Sequence, residues 1–372
     1  MKIALIYDWM DTEQGGVERI LQTFAAMFPD ADWYCAHADP TRSSVAQSLS
    51  PATSYMQLLP AALTQRRALC LPLYPYAFEQ LNLAQYDLVI SITSAFAKSV
   101  ITHPGTIHLC YILTPTRYLW GQTSDYLDRT SQIVLSPFLS HLRTFDYVSA
   151  ARPDQIVSIS HHVARRVSTY YNRPSRVIYV PFDHEYWDEK KRFLSSDSIP
   201  AHLSNTPYYL VVNRLEPYKK TEIAMRACAT LGHHLVIVGH GSYKEHLMKE
   251  ANQHVTWLEN VDDATLAALY THAQALLMPQ EEDFGLVAVE AQYFGCPVIT
   301  YHNSGAAETI IEGKTGATFA KQTDASMCEA IATYDKVAYN MRQKAIQYSP
   351  HHIKRKFGKK RFIDEFSDII PR

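Results

Sequence analysis

Short apolar runs alternate with helical patterns along most of the chain. Residues 3–7, 33–36, 86–92, 107–112, 155–159 and 177–180 carry few charges and many β-branched side chains. That is the composition of parallel strands covered on both faces. Between them, 17–27 and 163–171 place apolar side chains at helical spacing. Such β-α-β alternation predicts a doubly wound sheet. The pattern then breaks. Residues 183–206 are polar, interrupted by Pro200 and contain Ser195, Ser196, Asp197 and Ser198, which reads as an inter-domain linker. A second alternating set follows at 208–212, 235–238, 255–258, 275–278 and 298–301. The expected organisation is a Rossmann-like domain over 1–182, a linker over 183–206, a second Rossmann-like domain over 207–350, and a helix over 351–372 packing back on the first domain. Two open sheets joined by one linker are expected to face each other across a cleft, with ligands at the carboxyl ends of the strands.

Composition narrows the function. Of 372 residues, 47% are hydrophobic and 19% charged, which argues against a disordered chain. A net charge of −2 argues against a nucleic-acid partner. The 24 tyrosines, against 13 glycines, suit clefts and interfaces. Cys35, Cys70, Cys110, Cys228, Cys296 and Cys328 form no C-x-x-C pair and sit beside apolar residues, as buried thiols in a reducing compartment do. The 17 histidines include no H-x-x-x-H pair, so no zinc is expected. The first eight residues read as a strand rather than a leader, and no run approaches a membrane span. The expected location is cytoplasmic, with peripheral contact at a membrane face left open. Two segments bear on that contact. Residues 58–78 are apolar with the pair Arg66-Arg67, fitting either an interfacial segment or a buried helix. The basic run 354–361, with Phe357 interleaved, fits a solvated helix or a contact with anionic lipid.

The sharpest chemical signal is 279–291. Glu282 lies in a loop after a strand, Gly285 is permissive at the loop-to-helix turn, and Glu290 falls on the helix that follows. Gly295 and Pro297 punctuate its end. Backbone amides at Phe284, Gly285 and Leu286 make an anion site at a helix start. Glu282 can reach a sugar hydroxyl, and Glu290 a ribose diol. A second signal is 211–220, where Arg214 and Lys219 follow a buried strand and can clamp a diphosphate without a metal, Arg through its fork and Lys as a point charge. A third is Gly15-Gly16 after the first strand, where backbone can approach a phosphate. Asp30-Ala31-Asp32 fits a metal-binding Asp-x-Asp pattern but sits away from strand carboxyl ends, so a surface turn is expected.

Glu282 to Glu290, Arg214 with Lys219, and Gly15-Gly16, in this order, resemble the retaining GT-B glycosyltransferases of family 4, the Glu-x7-Glu group. Thr114-Pro115-Thr116-Arg117-Tyr118-Leu119-Trp120, Tyr218-Lys219-Lys220 and Glu281-Glu282-Asp283-Phe284-Gly285 look most like the bacterial O-antigen mannosyltransferase branch. The resemblance implies a metal-independent, retaining transferase with no cofactor beyond a nucleotide-sugar donor, GDP-mannose favoured over a UDP-sugar, and a glycan or lipid-linked acceptor in cell-surface polysaccharide synthesis. It implies that Arg214 and Lys219 hold the diphosphate, Glu290 the ribose and Glu282 the donor sugar. Phe284, Gly285, Leu286, Gly15 and Gly16 would approach sugar and phosphates through their backbone, with Arg117 and Tyr118 toward the acceptor. Leu113 and Ser94 occupy positions where the related branch has His. That departure keeps open a non-catalytic sugar-nucleotide or glycan-binding homologue.

Overall fold

A computed structural model describes all residues except 12–14, 65–69, 122–135, 193–198, 201–202, 204–205 and 372. The chain forms two compact units, Met1–Tyr179 and Val180–Arg372.

The first unit holds a seven-stranded sheet in the order β3-β2-β1-β4-β5-β6-β7. Its strands are β1 (Ile3–Tyr7), β2 (Asp32–Cys35), β3 (Ala52–Thr53), β4 (Leu88–Thr93), β5 (Ile107–Ile112), β6 (Gln155–Ser158) and β7 (Arg176–Val177), all paired parallel. The second unit holds a six-stranded sheet, β10-β9-β8-β11-β12-β13. Its strands are β8 (Tyr208–Val212), β9 (His234–Val238), β10 (Val255–Leu258), β11 (Leu276–Met278), β12 (Val298–Tyr301) and β13 (Gly316–Phe319), again all parallel. In both sheets the strand order reverses once, between β1 and β4 and between β8 and β11. Those switch points open a crevice at the carboxyl ends of the strands. The continuous apolar runs follow from this. Every residue of β4 is buried, because helices cover both faces.

The expected strands all reappear, five of them with the same bounds and the rest with shifted ends, and two more join them. β3 has two residues and β13 begins at Gly316, both too short or too mixed to show alternation. The segment expected as a linker starts with a helix, His184–Lys191, capped by the Asp183 carboxylate on the Tyr186 amide at 3.0 Å. Its Trp187 is fully buried and stands edge-on to Phe294, so this part of 183–206 is built into the second unit. Ser195, Ser196, Asp197 and Ser198 lie outside the described residues.

Helices Ala338–Phe357 and Lys359–Ser367 close the chain and belong to the second unit. Phe182, which the sequence places at the end of the first domain, donates its amide to Phe357 at 2.8 Å and accepts from Lys359 at 3.1 Å. In the structure, Phe182 and both terminal helices are parts of that one unit. No helix among the described residues is long and apolar enough to cross a membrane. Within 58–78, Leu58 is 87% and Tyr76 61% exposed while Tyr74 and Phe78 are buried. Arg66 and Arg67 lie outside the described residues.

Candidate active site

The loop after β8 carries the two cations. It runs against the loop after β9 so closely that no side chain fits between them. A Cβ on Gly239 would stand 1.9 Å from the Asn213 carbonyl oxygen, and one on Gly241 2.3 Å from that of Leu215. The Leu215 amide donates to the His240 carbonyl at 2.8 Å, which ties the loop after β8 to the loop after β9. The chain then turns through Pro217–Lys219, and Lys220 takes a left-handed φ of 52° to start helix Thr221–Leu231. Arg214 is exposed and donates to the Tyr218 hydroxyl at 3.1 Å. The Lys219 ammonium lies 5.2 Å from the centre of the Tyr218 ring.

The loop after β11 carries the carboxylates. It is pinned to the loop after β12: Ser304 Oγ accepts from the Glu282 amide at 2.9 Å, and the Gly305 amide donates to the Glu282 carbonyl at 2.7 Å. A Cβ on Gly305 would stand 2.1 Å from the Asp283 carbonyl oxygen. Gly285, at φ 88°, opens helix Leu286–Tyr293, and no side chain caps that start. The amides beginning at Leu286 thus point out of the helix start as an anion site requires. Phe284 is buried with its ring edge-on to Phe357 of the terminal helix, which anchors the loop from behind.

β8 and β11 flank the switch point, so their loops meet. Lys219 forms an ion pair with Glu282, and Gln280 Nε2 donates to the same Glu282 oxygen at 3.1 Å. Gln280 is almost fully buried, so one face of the Glu282 carboxylate is held from inside the protein. Glu290 is buried on its helix and accepts from the Tyr270 hydroxyl at 3.2 Å. The structure therefore brings Lys219 and Glu282 together at the switch point. Gln280, Tyr218, Tyr270, Ser304 and Gly305 join this neighbourhood. The Ser304-Gly305 pair, a turn dipeptide after a buried strand, is a readable signal for two of them.

The remaining candidates lie in the first unit. Gly15 has φ 61° with open space where a Cβ would be, so the backbone angle and not crowding calls for glycine. Gly16 begins helix Gly16–Met27, whose start carries no side-chain cap. Arg117 and Tyr118 are half-buried in the turn after β5. Ser94 spends its amide and hydroxyl on the Asp8 carboxylate, at 2.7 and 3.2 Å, and Leu113 is buried. Of the Asp30-Ala31-Asp32 stretch, Asp30 lies in an exposed turn, whereas Asp32 is the first residue of β2 and accepts from the Tyr86 hydroxyl at 2.7 Å. His161 and His162 open helix His161–Tyr171 behind the Ser160 cap.

Residues 196–352 match the family model described as Glycosyl transferases group 1. The chain is 33% identical over 133 residues to a glycogen synthase of Mycobacterium tuberculosis, covering 33% of this chain and 32% of that protein. It is 30% identical over 149 residues to a GDP-mannose-dependent alpha-(1-6)-phosphatidylinositol monomannoside mannosyltransferase of Mycolicibacterium smegmatis, covering 35% and 38%. The chain thus spans about a third of the length of these relatives. Anabaena HepE, solved in complex with UDP, superposes with a TM-score of 0.70 at 15% identity over 99% of each chain. That likeness establishes the fold as GT-B, built from two Rossmann-like units.

Proposed function

We propose that the protein is a retaining glycosyltransferase that moves a hexose from a nucleotide sugar to a glycan or lipid-linked glycan acceptor in cell-surface polysaccharide synthesis. The observation that carries this reading is the Lys219–Glu282 pair, backed by Gln280, at the switch point of the second sheet. The donor's diphosphate competes for Lys219, which together with exposed Arg214 neutralises the phosphate charge. Glu282, released from its cation, turns to the hydroxyls of the donor sugar while Gln280 keeps it oriented. Glu290 takes the ribose diol. The amides at Phe284, Gly285 and Leu286 face developing negative charge, as do those at Gly15 and Gly16. In the transfer step the sugar–phosphate bond breaks with its electron pair on the leaving phosphate. The acceptor hydroxyl attacks from the same face and passes its proton to that oxygen. Fixed cations and amides supply the electrostatic stabilisation, without a metal.

The favoured donor is GDP-mannose, supported by the GDP-mannose-dependent relative. A UDP-sugar is the second reading, supported by the structure of HepE with UDP. Exposed Leu58, Leu63 and Tyr76 support a peripheral membrane contact that would admit a lipid-linked acceptor. The test is nucleotide release from a panel of GDP- and UDP-sugars, with and without acceptor. Release from GDP-mannose above the other donors, falling by about 10²–10³ in Glu282→Ala, is the expected result. A Glu282→Ala protein that transfers as the parent does would overturn the site, and a protein that releases no nucleotide would favour the non-catalytic homologue.

A further inference from the structure

Two fully buried carboxylates of the first unit stand apart from the groups assigned above. Asp8 lies just past β1. Its Oδ1 accepts from Thr93 Oγ1 at 2.9 Å and from the Phe96 and Ala97 amides at 2.9 and 2.8 Å. Its Oδ2 accepts from the Ser94 amide and hydroxyl. The loop after β4 is thus folded around a carboxylate. Lys98 follows in that loop. It is 1% exposed and forms a 2.6 Å ion pair with Asp146, which is 0% exposed on helix Ser136–Ser149. The same ammonium also donates to the Ala95 carbonyl.

Asp146 then reaches the loop after β5. It accepts from Thr116 Oγ1 at 2.9 Å, from Trp120 Nε1 at 2.7 Å and from the Tyr171 hydroxyl at 2.7 Å. Burial and the Asp146 charge hold the Tyr171 phenol far above its ordinary range, so it stays a donor. Its oxygen receives the Thr116 amide at 3.4 Å. Thr116 in turn accepts from the Leu119 and Trp120 amides, Arg143 Nε donates to the Leu119 carbonyl at 2.7 Å, and Trp120 stacks on Tyr170.

A buried ion pair is weak evidence for stability, since well-packed apolar residues often do as well. A buried network whose members are all paired does something else: it selects one geometry. Here the geometry selected is that of the loops after β4 and β5, at and beside the switch point between β1 and β4. The second of those loops carries Arg117 and Tyr118. We propose that Asp8, Lys98 and Asp146 are positioning residues for acceptor recognition. Their brace fixes the loops after β4 and β5 so that Arg117 and Tyr118 meet a hydroxyl-bearing saccharide in one orientation. The proposal rests on the glycosyltransferase reading above and adds residues to its acceptor side.

The test cuts the tethers and spares the ion pair. Thr116→Val combined with Trp120→Phe removes two donors to Asp146. With methyl α-hexosides as acceptors, the double variant is expected to raise the acceptor KM tenfold or more while the donor KM keeps its value. Backbone hydrogen exchange over 116–120 is expected to accelerate against an unchanged remainder of the first unit. An unchanged acceptor KM with unchanged exchange overturns the proposal, as does a fall in kcat with no change in acceptor KM. Should this variant fail to fold, the charge-neutral pair Lys98→Met with Asp146→Asn is read by the same two measurements and the same criteria. If the parent protein transfers to none of the hexosides, the functional reading is what has failed, and the exchange measurement alone decides whether the brace holds the loop.

Discussion

His108 shows what one buried side chain does to the pH response of the molecule. It is fully buried in β5, its Nε2 lies 2.8 Å from Ser91 Oγ, and its Nδ1 finds no hydrogen-bond partner among the described residues. Burial drives its pKa down to about 4, opposed by Asp154 and aided by Arg152. The unfolded chain takes up that proton near 6.5, the folded chain only near 4. Between those values the unfolded state binds more protons, so stability falls as pH falls through the window. The loss from this residue is on the order of 3 kcal/mol by pH 4. Urea unfolding of the parent and His108→Gln at pH 7 and pH 4 checks it: the variant is expected to show the smaller drop, and equal drops would refute the assignment. The partnership of Lys219 with Glu282 was hard to read. Each stood out alone, but 63 residues separate them, and only the parallel order of β8 and β11 puts their loops together. Gln280 and Asp8 gave no signal, because a single amide or carboxylate after a strand is common and their roles come from the loops they hold.

Strands and helices were legible where burial imposed a long uniform pattern, and lost where the element was short. β1, β4 and β5 are mostly apolar and almost wholly buried because helices cover both faces, whereas two-residue β3 leaves no period to detect. Helix His184–Lys191 read as linker because it is mostly charged and presents one large apolar residue, Trp187, to the core. The loops that carry the site depend on close backbone approach, which composition does not display. Gly305 is the clearest case, since a Cβ there would stand 2.1 Å from the Asp283 carbonyl oxygen, a backbone atom that cannot swing away. Gly305→Ala must push the loop after β11 off the loop after β12 and carry Glu282 with it. We expect a destabilisation of about 1–3 kcal/mol, as for other overpacked sites, together with weaker nucleotide-sugar binding. Gly105→Ala is the control, because its Cβ would meet only His103 at an ordinary 3.8 Å. Calorimetric melting and donor titration of both variants, side by side, separate this local cause from a general intolerance of alanine.

At the scale of the molecule, the side chains proposed to bind the donor are confined to one of two units. Arg214, Lys219, Glu282 and Glu290 all belong to Val180–Arg372, and the brace of Asp8, Lys98 and Asp146 belongs to Met1–Tyr179. Each unit has its own sheet and its own buried core. A chain built this way need not melt in one step, and a single stability does not describe it. A ligand that binds only the folded form of one unit raises the stability of that unit by mass action, about 2.7 kcal/mol at a hundred times its dissociation constant. Scanning calorimetry with saturating GDP, UDP or ADP is therefore expected to resolve two transitions, with nucleotide moving one of them upward and leaving the other in place. The larger shift should belong to GDP if the donor is GDP-mannose, and to UDP if it is a UDP-sugar. Lys219→Ala should reduce the shift for every diphosphate, since the ammonium it removes is proposed to meet the phosphates and not the base. A variant that lost the shift for one base only would place Lys219 at the nucleobase and contradict the role given to it. Equal movement of both transitions would show instead that the two units share the nucleotide's binding energy.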